Sequence, residues 1–239
     1  MEIVFDPENH SYINCQTKEP YISVTTLISK YKTPFNQDEM SKMVAKKRNT
    51  TQDKILSLWG TITKTAQDRG TAYHKIMEDF IKTGNIAEGY EVLIESFAKK
   101  TKEIIKGKPL VESEKLLHNH DYKIAGTADL IITGKNGFHI LDFKTNKRFG
   151  FYSTYNTFFI EPLEHLTQCE FTTYALQLSI YAYLMEQILK KPCLSLKVFY
   201  LREFDSVFWQ EIHTPYMKDT VKNLLDYHKN NNKIEVCLK

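Results

Sequence analysis

The 239-residue sequence has no apolar run approaching the ~20 residues that a bilayer-spanning helix needs. Its first residues, Met1-Glu2-Ile3-Val4, lack the basic start and apolar core of a signal peptide. A cytoplasmic protein without a membrane partner is therefore expected. Cysteine is scarce: Cys15, Cys169, Cys193 and Cys237 are scattered, with no CxxC pair and no tight grouping with histidine. That spacing excludes a zinc ribbon or a disulfide framework and leaves free thiols as the expectation. No internal repeat is present, and the one polar tract is Asn230-Asn231-Asn232. Charge of one sign is also lacking: 32 Lys and Arg against 29 Asp and Glu give a net charge of +3, too mild to mark a nucleic-acid binder unless the cations gather on one face. Two local groups, Lys42/Lys46/Lys47/Arg48 and Lys144/Lys147/Arg148, hint at such gathering. What is present, 42% apolar and 26% charged residues, suits a soluble globular chain, and the length suits one domain over 1–239.

The pattern opens with a strand from Glu2 to Phe5, a turn at Asp6-Pro7-Glu8-Asn9 and a strand from Ser11 to Asn14, an N-terminal hairpin. Ser23 or Thr25 caps a short helix through Tyr31, which Thr33-Pro34 interrupts. Helical spacing dominates from Asp38 to Lys106, with Gly60, Gly70, Gly84 and Gly107 as candidate breaks. The period then changes. Three β segments follow, Leu110 to Leu117, Lys123 to Thr133 and Phe138 to Thr145, the last two joined by the hairpin signal Gly134-Lys135-Asn136-Gly137. An irregular aromatic stretch from Phe149 to Phe171 leads to a helix from Thr172 to Lys190, ended by Pro192. Strands Ser195 to Arg202 and Val207 to His213 and a helix from Tyr216 to His228 complete the chain. The order predicts an α/β domain with a central mixed sheet flanked by helices.

Alternation along Ile140-Leu141-Asp142-Phe143-Lys144-Thr145 places Asp142 and Lys144 on one face of a strand. The hairpin partner carries Gly126-Thr127-Ala128-Asp129, which brings Asp129 beside Asp142. Paired carboxylates attract a hard divalent cation, and a neighbouring ammonium suits phosphodiester hydrolysis, where charge builds on phosphate oxygens. Asp129 and Asp142 are the expected metal ligands, joined by the backbone carbonyl of Phe143, with Lys144 orienting the nucleophile or stabilising the transition state.

An Asp followed by Asp-x-Lys on the next strand resembles the PD-(D/E)XK nuclease superfamily, and further motifs point to its RecB-like and Cas4-like exonuclease branch. Arg69-Gly70 followed by His74 and, one turn later, Glu78 is similar to that branch's helix motif; Gln177 and Tyr181 match its Gln-x-x-x-Tyr helix, and Ser113-Glu114 matches an acidic position before the Asp129 strand. The resemblance spans roughly His74 to Tyr181. It implies a restriction-endonuclease-like core over 61–213, preceded by a hairpin and helical extension over 1–60 and followed by a C-terminal helix over 214–239. It further implies Mg²⁺ or Mn²⁺ as cofactor, His74 as an imidazole ligand, Glu78 as the acceptor that orients it, and Glu114 as an additional acid of the catalytic set. Gln177, Tyr181 and Arg69 are expected to contact DNA or to orient the site.

Each has a plainer alternative: His74 and Glu78 as a surface pair, Tyr181 as core, Arg69 as solvated charge. The aromatic stretch with Tyr152, Tyr155, Phe158 and Phe159 is either a base-stacking surface or a packed loop. The motif has Asp142 where many members have Glu. The cysteine spacing argues against the iron–sulfur cluster of some members, and the chain has no helicase P-loop. The functional expectation is a stand-alone, phage-type deoxyribonuclease of recombination, repair or replication. An exonuclease is preferred to a restriction-like or structure-selective endonuclease, or to a non-catalytic nucleic-acid-binding protein on the same scaffold. A homo-oligomer or a recombination partner protein is compatible with all three.

Overall fold

A computed structural model describes residues 3–6, 11–202 and 209–237, with side chains to residue 231. The turn at Pro7-Glu8-Asn9 and the start of the strand expected from Val207 lie outside these residues. The chain is α/β, built on a mixed eight-stranded sheet. Strands β1 (Ile3–Asp6) and β2 (Ser11–Asn14) form the expected antiparallel hairpin. A third strand that the sequence pattern missed, β3 (Pro20–Ser23), pairs antiparallel with β2 and then parallel with the main sheet. The N-terminal hairpin is thus a continuation of the central sheet.

Helix α1 (Val24–Lys30) is capped by Ser23, whose side chain accepts from the Thr26 N–H at 3.0 Å. Asn36 caps α2 (Gln37–Lys47), and Thr51 caps α3 (Gln52–Thr83). The 32-residue α3 runs through Gly60 and Gly70, which were candidate breaks, and stops at Gly84, the left-handed C-cap at φ 75°. A mid-helix glycine costs about 1 kcal/mol, which the long run of good helix formers around these two absorbs. Helix α4 (Glu91–Thr101) follows.

The three central strands come next: β4 (Leu110–Asn119), β5 (Ile124–Thr133) and β6 (Phe138–Lys144), consecutively antiparallel. Gly134 and Gly137 close the predicted hairpin, and a side chain at Gly137 would collide with the Pro192 carbonyl oxygen. Helix α5 (Glu170–Leu189) starts two residues earlier than its apolar spacing indicates. It crosses to β7 (Cys193–Tyr200), parallel to β6, and β8 (Gln210–Thr214) and α6 (Lys218–Cys237) complete the fold.

The sheet is covered on both faces. One layer packs α1, α5 and α6 on it through Leu27, Leu176, Ile180 and Leu224; the other packs α3 and α4 through Met77, Leu93 and Phe97 against Leu141, Phe143 and Phe199. One feature of the sheet positions the site. On the edge away from β4, β5 pairs with β6 over Leu130 to Thr133 but with β3 at Ile124 and Ala125. Between these, Gly126 to Asp129 face a fork where two neighbours diverge, the kind of crevice in which α/β sheets place ligands.

Candidate active site

Asp129 stands at this fork. The β5–β6 ladder ends at Leu130 opposite Leu141, so the next N–H of β6 that needs a partner, that of Phe143, donates instead to Asp129 Oδ2 at 2.7 Å. His74 reaches the same point from α3. Its Nε2 lies 2.8 Å from the Phe143 carbonyl oxygen, an atom that can only accept, so Nε2 carries the proton. Nδ1 is then the ring atom left for a ligand role, 3.5 Å from Asp129 Oδ2.

Glu114 arrives from β4. Ser113 pairs with Leu130 and Lys115 with Ala128, which sets Glu114 opposite Asp129. Its backbone lies in the left-handed region at φ 49°, an uncommon conformation for a residue with a side chain and a form of strain that gathers at functional sites. The kink is also visible in its neighbours: Glu112 and Lys115, which strict alternation would put on opposite faces, form an ion pair at 2.7 Å. Burial, and then the charge of Asp129, push the Glu114 carboxyl up to about 7.

The ligand atoms of His74, Glu114 and Asp129 all lie within 4.8 Å of one another, and the three could hold a metal ion. One imidazole and two carboxylates are a donor set for a first-row or alkaline-earth dication. A cation at this point would offset both the burial of this carboxyl and its repulsion by Asp129. A recess of about 370 Å³, lined by Gly70, Thr71, His74, Lys75, Glu78 and Glu114, opens this group to solvent.

Asp142 sits differently from its expected place. The residue is 1% exposed, lies outside the three-residue group, and its carboxylate contacts Lys144 Nζ at 2.5 Å. Gln177 Nε2 of α5 approaches its other oxygen at 3.4 Å. Burial raises the Asp142 pKa; Lys144 opposes that rise, while Asp129 adds to it. Burial alone would lower Lys144, but Asp142 and then Asp129 outweigh it and hold the ammonium charged. The other side of Lys144 rests over the Tyr174 ring, 5.0 Å from its centroid.

The remaining expected residues fall into place around this centre. The Phe143 carbonyl, expected as a ligand, receives the His74 ring, which makes it the group that fixes the imidazole. Glu78, expected to orient His74, pairs with Lys82 and, at 3.5 Å, with Lys75, so the orienting role passes to Phe143. Gln177 and Tyr181 are buried, with Gln177 Nε2 also 3.5 Å from the Tyr181 hydroxyl. Burial of both side chains favours their site-orienting alternative over direct contact with DNA. Tyr181 fits because residue 126 is glycine: a Cβ there would stand 2.8 Å from its Cε1. Arg69 stacks on Tyr73, 5.4 Å from the ring centroid, and lines a groove with Thr145 and Lys147. Sequence reasoning missed Tyr174, whose only signal is its place one turn before Gln177 on the face of α5 that meets β6.

Cys15, Cys169 and Cys193 are free thiols; Cys237 lies beyond the described side chains. Among the described residues no helix is long and apolar enough to cross a membrane. No family model and no curated protein matches the chain. Among solved structures, that of SSO0001 is 18% identical, with a TM-score of 0.34, over 90% of this chain and 78% of that one.

Proposed function

We infer that this protein is a metal-dependent deoxyribonuclease of the PD-(D/E)XK type, RecB-like branch, with an exonuclease mode. The observation that carries the reading is the convergence of His74, Glu114 and Asp129 beside the buried Asp142–Lys144 pair. His74 Nδ1 and the carboxylates of Glu114 and Asp129 would hold Mg²⁺ or Mn²⁺, and the imidazole favours Mn²⁺. A dication held there neutralises charge on the phosphate oxygens and makes water easier to deprotonate.

The chain's own groups do the rest. Lys144, kept charged by Asp142 and Asp129, presents its ammonium to the attacking water and to the phosphate oxygen that gains charge. Water oxygen forms the new P–O bond as its proton passes to solvent, the P–O bond to one sugar oxygen breaks, and solvent returns a proton to that departing oxygen. In this reading Asp142 fixes the lysine and Gln177 holds Asp142, and neither is counted among the three ligand side chains. Asp129 links the two halves, because the oxygen that takes the Phe143 N–H also faces His74.

Digestion of end-labelled linear duplex and single strands with Mg²⁺, Mn²⁺ or chelator tests this reading. Cleavage that needs the metal is expected, with product lengths reporting polarity, and covalently closed circles should survive. Lys144→Ala and the longer, apolar Lys144→Met should both lose at least ~100-fold in rate while still binding DNA. Undiminished cleavage by both variants would remove the mechanism, and cutting of closed circles would replace the exonuclease by an endonuclease.

A further inference from the structure

Two large aromatic side chains stand in water on a framework that is otherwise closely tied. Tyr152 is 85% exposed and Tyr155 79% exposed, on the connection between β6 and α5. Their turn is held internally: the Thr157 N–H donates to Ser153 Oγ at 2.9 Å, and the Gln168 N–H to the Thr157 carbonyl at 2.9 Å. It is also anchored externally, through the Ile160 N–H to the Tyr31 carbonyl at 2.8 Å and the Gly150 N–H to Glu170 Oε2 at 3.1 Å. Phe159, in the same connection, is buried at 2% exposure and seats it in the core. The connection is therefore seated in the core through Phe159 and Leu163 and against it through Phe149, while Tyr152 and Tyr155 stay exposed.

Grooves flank the two rings. One of about 360 Å³ runs past Lys32 and both tyrosines to Tyr174, the ring that supports Lys144. A second of about 500 Å³ shares Thr154 with it and carries Lys147, Arg148, Arg202 and the half-exposed ring of Phe151. A third shares Lys147 with the second and ends at Arg69 on α3, next to the recess over His74. Of the two acids among the described residues along this path, Glu211 is engaged by Lys197 at 2.7 Å and His213 at 2.9 Å, and Glu170 accepts the Gly150 N–H beside Lys32. Among the described residues the band carries more cations than acids, is lined with exposed rings, and reaches the Tyr174 ring on which Lys144 rests.

Resting on the nuclease reading above, we propose that this band is a single-strand platform. An unpaired DNA strand lies with its phosphates along Lys147, Arg148 and Arg202 and with bases stacked on Tyr152 and Tyr155, so that the chain is fed to Lys144 with its end unpaired. Stacking on tyrosine is tolerant of base identity, and cations along a groove follow a backbone without reading it.

Fluorescence anisotropy with labelled oligothymidylate and a blunt duplex of equal length, on the full chain in EDTA, separates this from catalysis. Single strand should bind more tightly than blunt duplex. Tyr152→Ala/Tyr155→Ala should weaken oligothymidylate binding by about tenfold or more, and the Trp pair should restore it. Lys147→Ala/Arg148→Ala should reduce the slope of log affinity against log salt by about 1.4. Both tyrosines are exposed, so an unchanged melting temperature checks that the variants fold. Equal oligothymidylate affinity in the wild type and the alanine pair, or tighter binding of blunt duplex, overturns the platform. Parallel Mn²⁺ digestion keeps the two readings apart. Strand binding through the tyrosines without any cutting retires the nuclease and keeps the platform; metal-dependent cutting with no effect of the alanine pair does the reverse.

Discussion

Glu114 is the residue at which the arrangement is most sensitive to pH. Its carboxyl is pushed up to about 7 by burial and by Asp129, against an ordinary value of 4.5. Between these two values the folded chain keeps a proton that the unfolded chain releases, so this group's contribution to stability is lost as pH rises from about 4.5 through about 7. In EDTA, the melting temperature of wild type relative to Glu114→Gln should therefore fall between pH 5 and pH 8. A difference that is flat across this range would show that the carboxyl is not buried against another acid. The deprotonated form is the one a dication binds, so added Mn²⁺ should raise the melting temperature more at pH 8 than at pH 5.5. Gly126 gives a second test at this scale. A methyl there would press on Tyr181 Cε1 at 2.8 Å and on the Tyr181 hydroxyl at 3.0 Å, in a well-packed interior. Gly126→Ala should cost about 1–3 kcal/mol in urea denaturation. It should also disturb the Tyr181–Gln177–Asp142 contacts that support Lys144.

At the scale of elements, α3 carries both a structural excess and the site's histidine. Gly60 lies inside the helix, and a Cβ there would meet nothing within 4 Å. Gly60→Ala should stabilise the protein by about 1 kcal/mol, read as a rise of about 2–4 °C in melting temperature; a loss of stability would mean that the helix does not run unbroken through this position. The Gly134–Gly137 turn, the break at Thr33-Pro34 and the Asp142-x-Lys144 strand follow from residue chemistry over a few positions and were legible. Strand β3 was not, because four residues beginning with proline carry too little alternation, and its partners lie both just behind, with Tyr12 opposite Tyr21, and far ahead, with Ile124 opposite Ile22. The left-handed Glu114 was equally hidden, since nothing in Ser113-Glu114-Lys115 requires φ above zero. Alternation correctly placed Asp142 with Lys144 but cannot say that the β5–β6 ladder stops one pair short of Asp129. That stop turns Asp129 toward His74 and leaves Asp142 beneath, paired with the lysine.

For the whole molecule, a sheet covered on both faces and forked at β5 holds groups from α3, β4, β5, β6 and α5 in one place, from positions 74 to 177 in the chain. No single element could do this, because a carboxylate cluster repels itself and persists only where surrounding packing fixes it. The measurement that bears most directly on this convergence is a Mn²⁺ titration at pH 7.5, followed by the loss of the free-ion electron paramagnetic resonance signal. Wild type should bind the ion, and Asp129→Ala and Glu114→Gln should each weaken binding by at least about tenfold, the scale set even by groups that only support a ligand. Binding of equal strength in wild type and both variants would contradict a cation site at the fork.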